Sequence, residues 1–176
     1  MLSNDQLARK DQWKKLKRMV KDGIERESKL YKKRVREFVQ ELSALDRKNS
    51  SRVKKIIDKH GWPGISLVGK RGAQAAWLLV QHATHDVKFQ KKCLNLLRNA
   101  VRRGDAEKKH EALLTDRILI LENKKQIYGT QFRSRKDGIM EPFPIKNRRR
   151  LSTLRKAMGL EPFSIYEKKM RALNLR

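Results

Sequence analysis

Apolar residues in the first third of the chain recur at the spacing of amphipathic helices. The first such segment breaks near Gly23 and has its apolar positions at Leu7, Leu16, Met19, Val20 and Ile24. The second has intervals of three and four through Tyr31, Val35, Phe38, Val39, Leu42 and Leu45. Residues at these intervals share one face of an α-helix. A third, short helix is predicted from Ser50 to Lys59, capped by Asn49 or Ser50, and the glycines and proline of residues 60–64 end it.

The middle of the chain predicts three further helices. Residues 73–80 are apolar nearly all round, which favours a central buried helix that begins at Gly72. An amphipathic helix follows from about Val87 to Arg103 and ends at Gly104. The next runs from about Ala106 into residues 118–121, although those four apolar residues could instead begin a strand.

Strand signals are confined to residues 126–145. Residues 126–132 alternate loosely, and Lys136-Asp137-Gly138 offers a hairpin turn toward residues 139–145. Pro142 and Pro144 restrict the second arm to an edge strand or an irregular segment. Two last helices are predicted, from about Arg149 to Met158 and from Ser164 to Leu173.

These elements predict a single, mainly α domain over residues 1–176. It consists of a basic helical segment, residues 1–44, and a core, residues 45–176, that contains a small β-hairpin near residues 126–145. No stretch reaches the roughly 18 consecutive apolar residues of a membrane span, and the N-terminus lacks the order of a signal peptide. We therefore expect a cytoplasmic protein that does not enter membranes. The single cysteine, Cys93, has helical spacing with apolar neighbours and is expected to be a buried, inert thiol.

Positive charge is the most unusual property of the sequence. The chain has 45 Lys and Arg residues against 19 Asp and Glu residues, a net charge of +26. The excess is spread over the whole length, with +10 in residues 1–59, +7 in residues 60–131 and +9 in residues 132–176. A body this basic repels itself, and an anionic partner relieves that cost. Nucleic acid, RNA or DNA, or another polyanion is therefore the expected partner.

Two groups of cations are candidates for phosphate contacts. Lys70 and Arg71 stand between two glycines at a predicted helix N-terminus, where free amides and the helix dipole favour an anion. Residues 64–70 have the spacing of a nucleotide-binding phosphate loop, but Arg71 replaces the Ser or Thr that would hold magnesium. The second group is Arg148, Arg149, Arg150 and Arg155.

An ordered series of short motifs runs through the core. It comprises His60-Gly61-Trp62-Pro63, Ala76-Trp77-Leu78, Val80-Gln81-His82-Ala83, Phe89-Gln90, Asp116-Arg117 and Gln126-Ile127-Tyr128-Gly129-Thr130-Gln131. Leu45-Asp46-Arg47-Lys48-Asn49, Pro144-Ile145 and Gly159-Leu160 extend it. Over about residues 45–166 the chain resembles the bacterial family named domain of unknown function 6624. The resemblance implies a compact, mainly helical domain and supplies no activity.

Several polar residues fall on segments that have little polar face. Gln81 and His82 continue the apolar faces of the central helix, and Asp116 and Arg117 lie among Leu and Ile residues. With Tyr128 and Gln131 they could form a polar pocket in which His82 serves as a general acid or base. The alternative is a set of core residues that satisfy one another by hydrogen bonds and ion pairs. His82, His85 and Asp86 have helical spacing for a metal, but no third ligand is evident, so neither metal nor cofactor is predicted.

Three functions remain open from the sequence. The first is a nucleic-acid-binding domain that acts mainly through phosphate contacts. The second is an enzyme, a hydrolase or transferase, that acts on a nucleic acid or a phosphorylated substrate at the pocket around His82. The third is a structural component of a ribonucleoprotein. The binding and enzyme hypotheses differ in geometry, since only the enzyme requires the six polar residues around an open cleft.

Overall fold

The computed structural model describes residues 28–135 and 138–172, together with residues 11, 14–15, 18–19 and 21–25. The predicted apolar positions Leu7, Leu16 and Val20, the turn residues Lys136 and Asp137, and Leu173 lie outside this part of the chain. The helices with described bounds are α1 (Lys29–His60), α2 (Ile65–His82), α3 (Val87–Arg102), α4 (Lys108–Leu121), α5 (Leu151–Ala157) and α6 (Phe163–Ala172). Residues 11, 14–15, 18–19 and 21 are also helical, in agreement with the predicted first amphipathic segment. Two strands, β1 (Phe132–Ser134) and β2 (Met140–Pro142), lie between α4 and α5. The predicted mainly α class with a small hairpin is confirmed.

α1 is one continuous helix where the sequence predicts two. Ser28 caps it, with its hydroxyl accepting a hydrogen bond from the Tyr31 amide at 3.2 Å. The expected break at Asn49 and Ser50 is wrong, because both residues lie inside the helix and are buried. The Ser50 hydroxyl donates to the Arg47 carbonyl at 3.0 Å and contacts Nε2 of His85 at 3.0 Å. Packing of Asn49 and Ser50 against the body overrides their preference for a helix terminus.

α2 begins earlier than the sequence predicts. It starts at Ile65, whose amide donates to the Asp105 carbonyl at 2.9 Å, and the Asp105 carboxylate accepts from the Ser66 amide at 2.7 Å. This hydrogen bond to the Ser66 amide is the largest cause of the lowered pKa of Asp105. The predicted start near Gly72 corresponds to a break inside the helix at Gly69, which has φ 69° and ψ 168°. Only glycine adopts this backbone conformation without strain. Because the conformation is not helical, it divides α2, and the second part of the helix begins at Lys70.

The core forms where α2, α3 and α4 pack together against the C-terminal half of α1. Its most buried side chains are Val53, Ile57, Val80, Cys93, Leu97 and Leu114. Cys93 is fully buried, as predicted, and burial raises the pKa of its thiol to about 12. Residues 118–121 continue α4, so the alternative of a strand there is wrong. None of the helices in the described part of the chain is both long and apolar enough to cross a membrane.

The hairpin follows α4. Its antiparallel strands place Phe132 opposite Pro142 and Ser134 opposite Met140. Both strands of a two-stranded sheet are edge strands, so each has a neighbouring strand on one side only. Pro142, which has no backbone N–H to donate, is therefore tolerated in β2. The last two helices are confirmed, with ends within about two residues of their predicted positions, which is the usual uncertainty of helix ends.

The absence of a side chain at Gly64 leaves room for the Asp105 carboxylate, which caps the start of α2. A Cβ atom at residue 64 would lie 1.8 Å from Oδ2 of Asp105, so Gly64→Ala must displace the carboxylate from the helix start. We expect Gly64→Ala to lower the free energy of unfolding by about 1 kcal/mol, the usual contribution of a cap. In the Asp105→Ala background the same substitution should cost much less. Urea denaturation of the two single variants and the double variant measures this coupling, and additive effects would contradict it.

Candidate functional site

The carboxylate of Asp116 is fully buried and binds the loop of residues 127–130. Its Oδ1 accepts from the Ile127 amide at 2.7 Å and the Tyr128 amide at 3.1 Å. Its Oδ2 accepts from the Tyr128 amide at 3.1 Å and from the amide and hydroxyl of Thr130, each at 3.0 Å. Burial raises the pKa of Asp116, and these hydrogen bonds oppose the rise. Both oxygens are therefore occupied by the protein's own donors.

Arg155 binds the same loop through its carbonyls. It is 1 % exposed, and its Nη1 donates to the carbonyls of Tyr128 at 2.7 Å and Gly129 at 3.3 Å. Its Nε donates to the Glu161 carbonyl at 2.8 Å. The guanidinium also lies 5.0 Å from the ring centroid of Tyr166, within the range of a cation–π interaction.

The predicted role of Arg155 in phosphate binding is therefore wrong. The side chain is enclosed and its donors are directed at carbonyl groups of the protein. Helical position alone did not distinguish it from its exposed neighbours, because the carbonyls that it contacts belong to a loop 26 residues earlier in the chain.

Two glutamines close the loop at its ends. Gln126 is fully buried, and its Nε2 donates to the carbonyls of Gln131 at 3.0 Å and Phe143 at 2.8 Å. Its Oε1 accepts from the Gln131 amide at 2.9 Å, and Nε2 of Gln131 donates to the Thr130 hydroxyl at 3.0 Å. The Tyr166 hydroxyl donates to the Thr130 carbonyl at 3.2 Å.

Gly129 allows the close packing of this loop. Its φ is +66°, and a Cβ atom there would lie 2.9 Å from the ring of Phe163. The loop is thus enclosed by α4, the hairpin and the last two helices, which together satisfy its backbone groups.

Three of the six predicted pocket residues are linked by hydrogen bonds through residues 128–130. Asp116, the Tyr128 backbone and Gln131 meet at the loop, linked through Thr130. Gln81 is buried on α2, and its Nε2 contacts the Leu113 carbonyl of α4 at 3.5 Å. The contacts of Asp116 and Gln131 are those of a structural cluster that holds a loop.

His82 and Arg117 are both half-buried. Burial lowers the pKa of Arg117, and its Nε has no hydrogen-bond partner among the described residues. The two candidate ligands near His82 have structural contacts, since His85 contacts the Ser50 hydroxyl and Asp86 caps α3 by accepting from the Phe89 amide at 2.9 Å. Within the described ranges no group of three or more His, Cys, Asp or Glu side chains could hold a metal ion.

Five of the six predicted phosphate ligands have the necessary exposure. Lys70 and Arg71 follow the break at Gly69, and both are exposed. Arg148 and Arg149 are exposed in the segment before α5, as is Arg150, so that five of the six predicted cations face solvent.

His110 and Gln126 are among the buried polar residues that sequence reasoning missed. His110 on α4 is 6 % exposed and stacks on Trp77 with ring centroids 4.1 Å apart and planes 10° apart. Burial lowers the pKa of His110 to about 4, so its ring is neutral at physiological pH. Its spacing of four from Leu114 was an available signal, the same one that singled out His82. Gln126 gave no periodic signal and stood out only as the first residue of a motif.

Comparison with known proteins identifies the family. The sequence profile of a family of unknown function, DUF6624, matches residues 21–174. The chain belongs to this family. The match begins well before residue 45, so α1 lies within it. Searches of curated proteins and of solved structures each returned no match.

Asp116→Asn is expected to destabilise this DUF6624 domain strongly. An amide NH₂ in place of one carboxylate oxygen would face backbone N–H donors, which leaves buried donors without an acceptor. We expect the free energy of unfolding to fall by about 2 to 4 kcal/mol. Asp58→Asn is the matched control, because Asp58 makes an exposed ion pair with Lys92 at 2.7 Å, and the loss of an exposed pair should cost much less. Equal losses in urea denaturation would show that the loop does not depend on Asp116.

His110 predicts a loss of stability in acid. The imidazole in the unfolded chain takes up a proton below its ordinary pKa of 6.5, whereas the folded side chain remains neutral down to about 4. Stability is therefore complete above about pH 6.5 and falls as pH decreases toward 4, by about 2 kcal/mol at about pH 5. His110→Phe retains a ring against Trp77 and removes the titration. Urea denaturation across this range should show a shallower pH dependence for the variant, and identical dependence would contradict the prediction.

Proposed function

We propose that this protein is a cytoplasmic nucleic-acid-binding domain, with RNA or DNA held mainly through phosphate contacts. The observation that carries the proposal is the exposed segment of residues 146–150. Lys146, Arg148, Arg149 and Arg150 are all exposed, and none forms an ion pair within the described parts of the chain. This segment therefore presents four cations in five residues, and no carboxylate in the described part of the chain neutralises them.

The backbone of this segment is anchored at both ends. The Lys146 amide donates to the Gln126 carbonyl at 2.8 Å, and Leu151 is buried directly after it. Within the segment, Oδ1 of Asn147 accepts from the Arg150 amide at 3.1 Å. The cations are thus presented on an ordered backbone, which reduces the entropic cost of binding a partner.

Most carboxylates in the described part of the chain are already engaged. Ten of them form ion pairs with Lys or Arg: Asp22, Glu37, Asp58, Asp86, Glu107, Glu111, Glu122, Glu141, Glu161 and Glu167. Asp86 and Asp105 cap helices, and Asp116 binds the loop. Because the chain has a net charge of +26, an external polyanion is the partner that best relieves the remaining repulsion.

The contacts of the polar residues favour binding over catalysis. A general base needs a lone pair that is free to take a proton from substrate. Both oxygens of Asp116 accept hydrogen bonds from the loop, and Gln131 is bound to Gln126 and Thr130. These residues therefore support a rigid scaffold that presents surface cations.

We expect nucleic-acid binding to depend steeply on salt and weakly on sequence. Replacing Arg148, Arg149 and Arg150 with Ala should weaken binding to all sequences about equally. On duplex DNA it should reduce the slope of log affinity against log salt by up to about 2.7, since each phosphate contact contributes about 0.9. Fluorescence anisotropy with a labelled duplex and a single-stranded RNA over a salt series measures both quantities.

Two controls accompany this measurement. Replacing the exposed residues Lys88, Lys108 and Lys168 with Ala removes the same charge from three different helices and should have a smaller effect. His82→Ala should leave binding nearly intact. Undetectable binding at low salt, or an affinity that does not change with salt, would refute the proposal.

A further inference from the structure

The C-terminal half of α1 carries a second surface without compensating carboxylates. Lys48, Arg52, Lys55 and Lys59 follow one another at intervals of four, three and four residues. At 3.6 residues per turn these intervals place the four side chains within an arc of roughly 60°, in a row about 16 Å long. We call these four residues the α1 row.

All four side chains of the α1 row are exposed, and within the described residues none has an ion-pair partner. The one carboxylate between positions 48 and 59 is Asp58, and Lys92 of α3 already binds it. About three turns earlier on α1, Glu37 pairs with Arg34 at 2.9 Å and Lys33 at 3.9 Å. Residues 48–59 thus have no free carboxylate that could compensate the row.

The opposite side of this half of α1 is fixed to the body of the domain. Val53 and Ile57 are each 2 % exposed and belong to the core. The contact between Ser50 and His85 ties α1 to the turn before α3, and the Lys92 ion pair ties it to α3 itself. The backbone of this half of α1 is thus held against the body, and the four cations project from a fixed helix axis.

We propose that the α1 row lies along the phosphate backbone of one strand of a nucleic-acid duplex. One strand of a duplex carries a regular series of phosphates, so a row about 16 Å long faces several of them with its four cations. A duplex is stiff, with a persistence length of about 150 base pairs, and presents a track that is already ordered. A single strand must first be ordered along a rigid row, which costs conformational entropy. The inference rests on the proposed function and adds duplex geometry to it.

The test replaces Lys48, Arg52, Lys55 and Lys59 together with Gln, which retains helix propensity. A matched control replaces Lys88, Lys108, Lys125 and Lys168 with Gln, four exposed cations outside α1 that remove the same charge. Binding of both variants and the parent to a duplex and to a single strand of equal length, as DNA and as RNA, is measured over a salt series. A third variant with Arg at all four row positions keeps the charge.

For the α1-row variant we expect the salt slope on duplex DNA to fall by up to about 3.6, at about 0.9 for each lost contact. Affinity for the duplex should fall at least about tenfold more than in the control variant, equivalent to about 1.4 kcal/mol. The preference of the parent for duplex over single strand should shrink, and the all-Arg variant should bind like the parent.

Equal losses of affinity in the row and control variants would overturn the inference, because binding would then depend on the net charge and not on the position of the cations. The proposed function would remain intact. A larger loss on the single strand than on the duplex would also overturn it. Absence of salt-dependent binding by the parent would refute both proposals. Circular dichroism of each variant identifies a loss of helix, and in that case four single Lys or Arg to Gln variants replace the combined one.

Discussion

The C-terminal third of the molecule depends on the burial of one carboxylate. Asp116 supplies acceptors to three backbone amides and a hydroxyl in residues 127–130, and Arg155 supplies donors to two carbonyls of the same stretch. The carboxylate of Asp116 thus binds N–H groups of the loop, and the guanidinium of Arg155 binds its carbonyl groups. A buried carboxylate without these donors would favour the neutral form and a buried arginine without these acceptors would be strongly destabilising, so each residue is tolerated because of the loop.

This arrangement connects the interior to the charged surface. Gln126, which closes the loop, also pairs with the backbone around Ile145 and receives the Lys146 amide. The exposed arginines follow within four residues, and Leu151 and Arg155 then return the chain to the core. The buried cluster therefore sets where residues 146–150 lie. The same logic holds at α1, where Val53 and Ile57 fix one face of the helix and so fix the direction of the exposed cations on the other.

Periodicity predicted most helices, because apolar spacing reflects which face is buried. It failed where tertiary contacts outweigh local preference, as at Asn49 and Ser50, whose side chains are buried against the rest of the domain. The start of α2 at Ile65 depends on Asp105, a residue 40 positions away, and sequence spacing carries no information about such a contact. For the candidate site, the sequence identified Asp116, Tyr128 and Gln131 as buried or constrained. It did not reveal that most partners of Asp116 are backbone amides, since a backbone partner leaves no mark on residue type.

Arg155 shows why charge in the sequence and charge at the surface are different quantities. It follows three exposed arginines by only a few positions. Its guanidinium nevertheless donates hydrogen bonds to carbonyls of the protein and lies against the Tyr166 ring. Counting cations thus overestimates what a partner can reach, and the useful quantity is the set of cations that are exposed and lack a carboxylate. By that measure the two ordered groups, residues 146–150 and the α1 row, differ from the ion-paired lysines of α3. A lysine that already neutralises a carboxylate, such as Lys92 with Asp58, must break that pair before it binds a phosphate, whereas Lys48 or Arg148 need only release counterions.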